Sequence, residues 1–180
     1  LPSGGIVYNA DSPLYDSKTV EIRAMTAADE DILTSRALVK KGTVITELIR
    51  SCVINKSVNP ESMLSGDRNA LLVAIRITGY GADYNVEVEC PECDHKSKQN
   101  FSLAELKIKN LGIDPVVPGA NMFETTLPVT KKSVKFKFLT GQDERDMMVL
   151  AERKKKAGIN SDALVTERLK HQIVAIGDIT

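Results

Sequence analysis

The chain carries no net charge, because its 24 lysines and arginines are matched by 24 aspartates and glutamates. No long-range field therefore draws it to nucleic acid or to an anionic membrane. Long apolar runs are also missing: the longest is about Ala70 to Ile75, far short of the roughly 20 residues a membrane-spanning helix needs. The start, Leu1-Pro-Ser-Gly-Gly, has neither the basic region nor the apolar stretch of a signal peptide. Cysteine is scarce, with three residues of which two share one CxxC, so a disulfide framework is excluded and a reducing, cytosolic origin is expected. The two histidines have no Ser and Asp companions in a triad-like pattern. Gly79-x-Gly81 precedes a strand pattern rather than a helix, so no phosphate-cradling loop is present. No catalytic constellation stands out, and no enzyme is expected.

What remains is an ordinary globular composition, 42% hydrophobic and 27% charged, in 180 residues that suit one or two domains. Its most conspicuous property is internal similarity. Lys18, Val20, Thr26, Asp29 and Glu30 align without a gap on Lys132, Val134, Thr140, Asp143 and Glu144, while Ile22 meets Phe136 and Met25 meets Leu139. After a shift of six residues the match resumes, with Thr46 to Arg50 facing Thr166 to Lys170 and Val53-Ile54 facing Ile173-Val174. Each copy offers a strand, then a Thr at a helix N-cap with an acid three residues later, where the carboxylate meets the positive end of the dipole. Both predict strand, helix, turn, second helix. In the first copy these are a strand over Lys18 to Met25, a helix over Ala27 to Lys41 closed by Gly42, and a helix from Val44 whose apolar stripe includes Cys52. Pro60 opens a further short helix, and Arg68 to Tyr80 reads as a helix, with Val73 to Ile77 open to a strand reading. The second copy adds a hairpin about Pro128, then helices over about Gly141 to Ala157 and Ser161 to Ile176.

Between the copies lies Asp83 to Leu103. Tyr84, Val86 and Val88 alternate with Asn85, Glu87 and Glu89, the period of a strand, and the turn Cys90-Pro91-Glu92-Cys93 leads back through Phe101. A CxxC turn aims two sulfurs at one point, as in the knuckle of a zinc ribbon, yet the second CxxC is missing. The readings are a knuckle-shaped turn without metal; zinc held by Cys90, Cys93 and His95 with a ligand such as Cys52 or His171 from elsewhere; or a redox pair, which the β-like entry disfavours. The basic run Arg153 to Lys156 sits in the last turn of a helix, where cations complement the dipole.

The expected fold is α+β: a duplicated strand–helix–helix unit with an inserted zinc-ribbon-like β-hairpin carrying the CxxC. Its parts are an arm (1–17), a first unit (18–81), the hairpin (82–110), a loop and connecting strand (111–131) and a second unit (132–180). The second unit stops short of a counterpart to Asn59 to Gly81, so the chain is expected to lack its natural start and a C-terminal piece. The arm, with Gly4-Gly5, Pro2 and Pro13, is read as extended. Its Ile6, Val7, Tyr8, Leu14 and Tyr15 are expected to bind a partner, so that deleting it would leave the melting of the isolated domain nearly unchanged.

Arg23-Ala-Met-Thr-Ala-Ala-Asp-Glu-Asp-Ile-Leu33, the helix Val44 to Val53, the segment Leu71 to Gly81 and Tyr84-Asn-Val-Glu-Val-Glu-Cys-Pro-Glu-Cys93 together resemble the baseplate hub and hub-assembly proteins of contractile-tailed phages of the T-even type, best over residues 18–106. The resemblance implies a non-enzymatic structural or assembly protein in the tail baseplate of the virion. It would be assembled in the host cytoplasm, as a protein–protein adaptor in a hetero-oligomer with other baseplate and tail proteins. It implies no cofactor, zinc being the one candidate. Where members of that family place glycine after the second cysteine, this chain has Asp94. The competing classes are a zinc-ribbon module that contacts nucleic acid or another protein, and a thiol oxidoreductase.

Overall fold

A computed structural model describes residues 1–158 and 164–177 as a mixed α+β fold. Its elements run α1 (Ala27–Thr34), α2 (Arg36–Lys41), α3 (Val44–Cys52), α4 (Ser65–Tyr80), β1 (Asp83–Glu89), β2 (Lys96–Ser102), β3 (Phe123–Thr126), β4 (Ser133–Phe136), α5 (Gly141–Lys156), α6 (Leu164–Gln172) and β5 (Ile173–Ile176). Two small antiparallel sheets result, the pair β1-β2 and the three-stranded β3-β4-β5.

The core is built where α3, α4 and β3 meet the N-terminal residues. Leu48, Ile49 and Cys52 from the apolar stripe of α3 pack with Leu71 and Ile75 of α4 and with Phe123 of β3, all buried. Phe123, Phe136 and Phe138 pack ring on ring there, with centroids 4.9 to 5.8 Å apart. Cys52 is thus a small core residue, and burial pushes its thiol pKa up.

Residues 1–17 correct the sequence reading. They form a chain of tight turns rather than an extended arm, and Val7, Tyr8 and Leu14 are buried in the chain's own core. The physical reason is a polar anchor at the start of α4. Buried Asp67 accepts from the Ser3 N–H (2.9 Å), the Ser3 hydroxyl (2.6 Å) and the Tyr8 hydroxyl (2.6 Å), and that same Tyr8 oxygen accepts from the Leu64 N–H (3.0 Å). Burial, reinforced by the Asp67 carboxylate, pushes the Tyr8 hydroxyl pKa far up, so it stays a donor. Gly5 closes the turns at φ 81°, and a Cβ there would overlap the Ser17 nitrogen and lie 2.6 Å from the Leu14 carbonyl oxygen. Only glycine fits this backbone.

Four further expectations change. Lys18 to Met25 makes no ladder, only the bridge Ile22–Val53, flanked by the Arg23 N–H to the Cys52 carbonyl and the Ile54 N–H to the Glu21 carbonyl, since Val53 directly follows α3 and the chain turns away after Ile54. The helix expected over Ala27 to Lys41 breaks at Ser35, whose hydroxyl caps α2 by accepting from the Leu38 N–H (3.4 Å). The last helix ends at Gln172, and the β-prone run Ile173 to Ile176, β-branched at three of its four positions, pairs with β4. The expected start of that helix at Ser161 lies outside the described residues. Pro60 stands in a turn rather than a helix, with the Ser62 N–H donating to the Asn59 carbonyl (3.2 Å), while α4 is a full helix as first read.

Gly42 ends α2 in the left-handed region, φ 68°, and a Cβ there would overlap the Met148 side chain of α5. Gly42→Ala is expected to lower stability by roughly 1–2 kcal/mol, through backbone strain and displacement of Met148. Urea unfolding measures it; a change within error would show that the thioether swings away and the backbone relaxes.

Candidate functional site

The hairpin β1-β2 is exposed along most of both strands. Its register pairs Tyr84 with Phe101, Val86 with Gln99 and Val88 with Ser97 on one face, and Glu87 with Lys98 and Glu89 with Lys96 on the other. The second face is solvated and charge-paired, with Lys96 Nζ 3.6 Å from Glu89 and 4.0 Å from Glu87. On the first face Tyr84, Val88 and Phe101 remain 38%, 47% and 43% exposed, the two rings 5.3 Å apart and tilted. Alternation thus forms the strand as expected, but the face it was expected to bury is open within this chain.

The tip continues the ladder by one step. The Cys90 N–H donates to the His95 carbonyl (2.9 Å) and the Asp94 N–H to the Cys90 carbonyl (2.9 Å). Asp94 closes the turn in the left-handed region at φ 54°, a conformation that aspartate tolerates better than most side chains, so the turn forms without glycine. The N–H groups of Glu92 and Cys93, with the Cys93 thiol, hydrogen-bond to the Cys90 sulfur and hold its pKa below the ordinary thiol range. Cys90 and Cys93 are therefore brought together, but His95 does not complete a site with them. Among the described residues no group of three or more His, Cys, Asp or Glu side chains could hold a metal ion.

A second pair of sites lies at the helix starts. Asp29 is fully buried and accepts from the Thr26 N–H (2.7 Å) and hydroxyl (2.8 Å), from the Ser51 hydroxyl (2.6 Å) and bidentately from Arg23 (2.6 and 3.0 Å). Asp143 likewise accepts from the Thr140 N–H (2.9 Å) and hydroxyl (2.8 Å) and from Lys137 (2.7 Å). The Arg23 guanidinium holds the Asp29 carboxyl well below the usual range against the opposing effect of burial. At Asp143 burial pushes the pKa up, but the bonds from Lys137 and Thr140 outweigh it and leave the carboxyl low. The cations' backbones match as well: the Arg23 N–H donates to the Cys52 carbonyl (2.9 Å) and the Lys137 N–H to the Gln172 carbonyl (2.8 Å).

Between the start of α5 and the turn that leads into α4 runs a seam the sequence did not disclose. The Gly141 and Gln142 N–H groups of α5 donate to the Met63 (3.0 Å) and Glu61 (2.9 Å) carbonyls, and the Ser65 N–H to the Leu139 carbonyl (2.8 Å). Buried Arg68 spans it, donating to the Pro60 carbonyl (2.7 Å) and reaching Glu144 at 4.0 Å. Arg145 pairs with Glu61. The one advance signal for the Asp67 anchor was an acid in the first turn of a helix, a placement that a dipole alone accounts for.

Of the expected partner-binding residues, Val7, Tyr8 and Leu14 are consumed by the core. Tyr15 is 46% exposed and borders, with Ile6, Asp114 and Pro118, a depression of about 260 Å³. No helix among the described residues is long and apolar enough to cross a membrane.

No curated protein and no solved structure matches the chain. A family model does match, that of the T4 bacteriophage base plate protein, over residues 6–117. The match takes in the N-terminal turns from Ile6 onward, the four helices around the core and the whole hairpin, which is more than half of the sequence; the chain belongs to the T4 bacteriophage base plate protein family.

Proposed function

We propose that the chain is a protein–protein adaptor of a contractile-tail baseplate, built on a duplicated unit and assembled with other tail proteins in the host cytoplasm. The family match over residues 6–117 carries this reading. The proposed units are residues 18–81 and 132–180, with the hairpin of residues 82–110 and the linker of residues 111–131 between them. The duplication is supported by matched detail. Ile22 bridges Val53 as Phe136 pairs with Ile173, Arg23 and Lys137 hold Asp29 and Asp143, and both acids stand third after a threonine cap. Two related units in one chain offer partners two quasi-equivalent surfaces. The open hairpin face, with Tyr15 and Ile6 at the depression beside the linker, gives the remaining apolar contacts.

Inactivating the gene in the phage that encodes it is expected to leave tails without complete baseplates, and the wild-type chain supplied in trans is expected to restore them. The double variant Val88→Asp, Phe101→Asp should fold yet restore poorly, since it charges the open face without touching the core. Electron microscopy of the particles reads both results. Complete, infective tails in the absence of the chain would overturn the reading.

A further inference from the structure

We infer that Cys90 and Cys93 are a redox modification site, which closes an intramolecular disulfide across the hairpin tip when it meets a small-molecule disulfide such as oxidised glutathione. The first ground is backbone geometry. Residues 91–93 form a tight turn, fastened by the Asp94 N–H to the Cys90 carbonyl and by the Cys90 N–H to the His95 carbonyl, both 2.9 Å. The bond from residue 94 to residue 90 makes this one uncontinued turn of helix. The radius and rise of such a turn set Cα atoms three positions apart at about 5 Å, and a disulfide spans Cα atoms about 4.4–6.8 Å apart. Pro91 stands first inside the turn, where no N–H is needed and its fixed φ narrows the conformations that the two thiols explore.

The second ground is access. Cys93 is exposed and Cys90 partly so, whereas Cys52 is fully buried in the core. Exchange requires a thiolate to reach the incoming disulfide, so access selects the tip pair from the three cysteines. Neither tip residue belongs to the core, and closing the bond leaves the core packing as it is. In the reaction one cysteine thiolate attacks glutathione disulfide, forming a mixed disulfide and releasing one glutathione; the other cysteine then attacks the protein sulfur of the mixed disulfide and expels the second glutathione. The two protein thiols lose two protons and two electrons in all, and the electrons reduce one glutathione disulfide to two glutathiones. The product holds the tip in the turn it already has.

The test uses the full chain, first reduced, then equilibrated without denaturant in mixtures of reduced and oxidised glutathione, quenched with acid, alkylated in denaturant and read by mass spectrometry. The three free thiols should fall to one, Cys52, with Cys90 and Cys93 joined in one peptide and no link to a second chain. The same equilibration in urea is the control. The native turn should favour the bond by at least about 10-fold over the unfolded chain, and by linkage the folding constant of the oxidised chain should rise by the same factor. Cys90→Ser should halt at one glutathione per chain, on Cys93, while keeping its helical circular dichroism. A wild-type chain that resists oxidation, stops at the mixed disulfide, joins to a second chain, consumes Cys52 or oxidises no more readily folded than unfolded would overturn the inference. None of these results bears on whether tails assemble without the chain, so the adaptor reading stands or falls separately.

Discussion

Removing residues 1–17 is expected to abolish cooperative unfolding of this protein. The deletion takes away Val7, Tyr8 and Leu14, three side chains the structure buries in the core. Each contributes about 1.5–3 kcal/mol by burial. The deletion also strips buried Asp67 of the Ser3 and Tyr8 donors and leaves the Leu64 N–H without its acceptor. The lost hydrogen bonds add about 1 kcal/mol each, and the sum reaches the roughly 5–15 kcal/mol that a whole domain has. Circular dichroism of the truncated chain should show a broad, low-amplitude melt in place of a sigmoid. A truncated chain that melts like the intact one would mean that α4 finds other partners for Asp67. The single change Tyr8→Phe isolates the polar part: with volume kept, losing one donor and one acceptor should cost about 2–3 kcal/mol.

The composition of these residues explains why an extended arm was the natural reading and why it fails. Gly4-Gly5, Pro2 and Pro13 are turn formers in an extended linker and in a compact one alike. What decides between them is the long-range pairing of Ser3 and Tyr8 with Asp67, and neither spacing nor periodicity encodes a hydrogen bond across some sixty positions. The helices and the hairpin were legible for the opposite reason. The stripe of α3, the Thr26–Asp29 and Thr140–Asp143 caps and the alternation of β1 are local patterns with local causes. β5 lay between these cases. Ile173 to Ile176 is β-prone, but its pairing strand ends nearly forty residues earlier, so an apolar run after a helical pattern read as more helix. At the hairpin the alternation of β1 was enough to place Cys90 and Cys93 at the tip, while the ladder step there, from the Cys90 N–H to the His95 carbonyl, depends on how the turn closes.

Asp29→Ala is expected to destabilise the protein by about 3 kcal/mol, the scale for breaking a buried, hydrogen-bonded charge. It removes a fully buried acceptor that the Thr26 cap, Ser51 and Arg23 share, and so unties α1 from the end of α3 in one step. At about 2–4 °C per kcal/mol for a chain of this size, the melting temperature should fall by roughly 6–12 °C. Asp143→Ala removes the corresponding group of α5, which is less buried and holds a single lysine in place of a bidentate arginine, so its effect should be smaller. The pH dependence follows from the direction of the shifts. Both carboxyls are held low in the folded chain, so their contribution is complete above the unfolded value of about 4 and is withdrawn as the pH falls through the lower, folded values. The gap in stability between wild type and Asp29→Ala should therefore be widest above about pH 5 and close as the medium is acidified below about pH 4. If the two units are copies, the two variants should respond to acid with the same sign and differ only in size. A gap at Asp143 that widens on acidification while that at Asp29 closes would show the two helix starts to be unrelated, and the duplication would lose its energetic support.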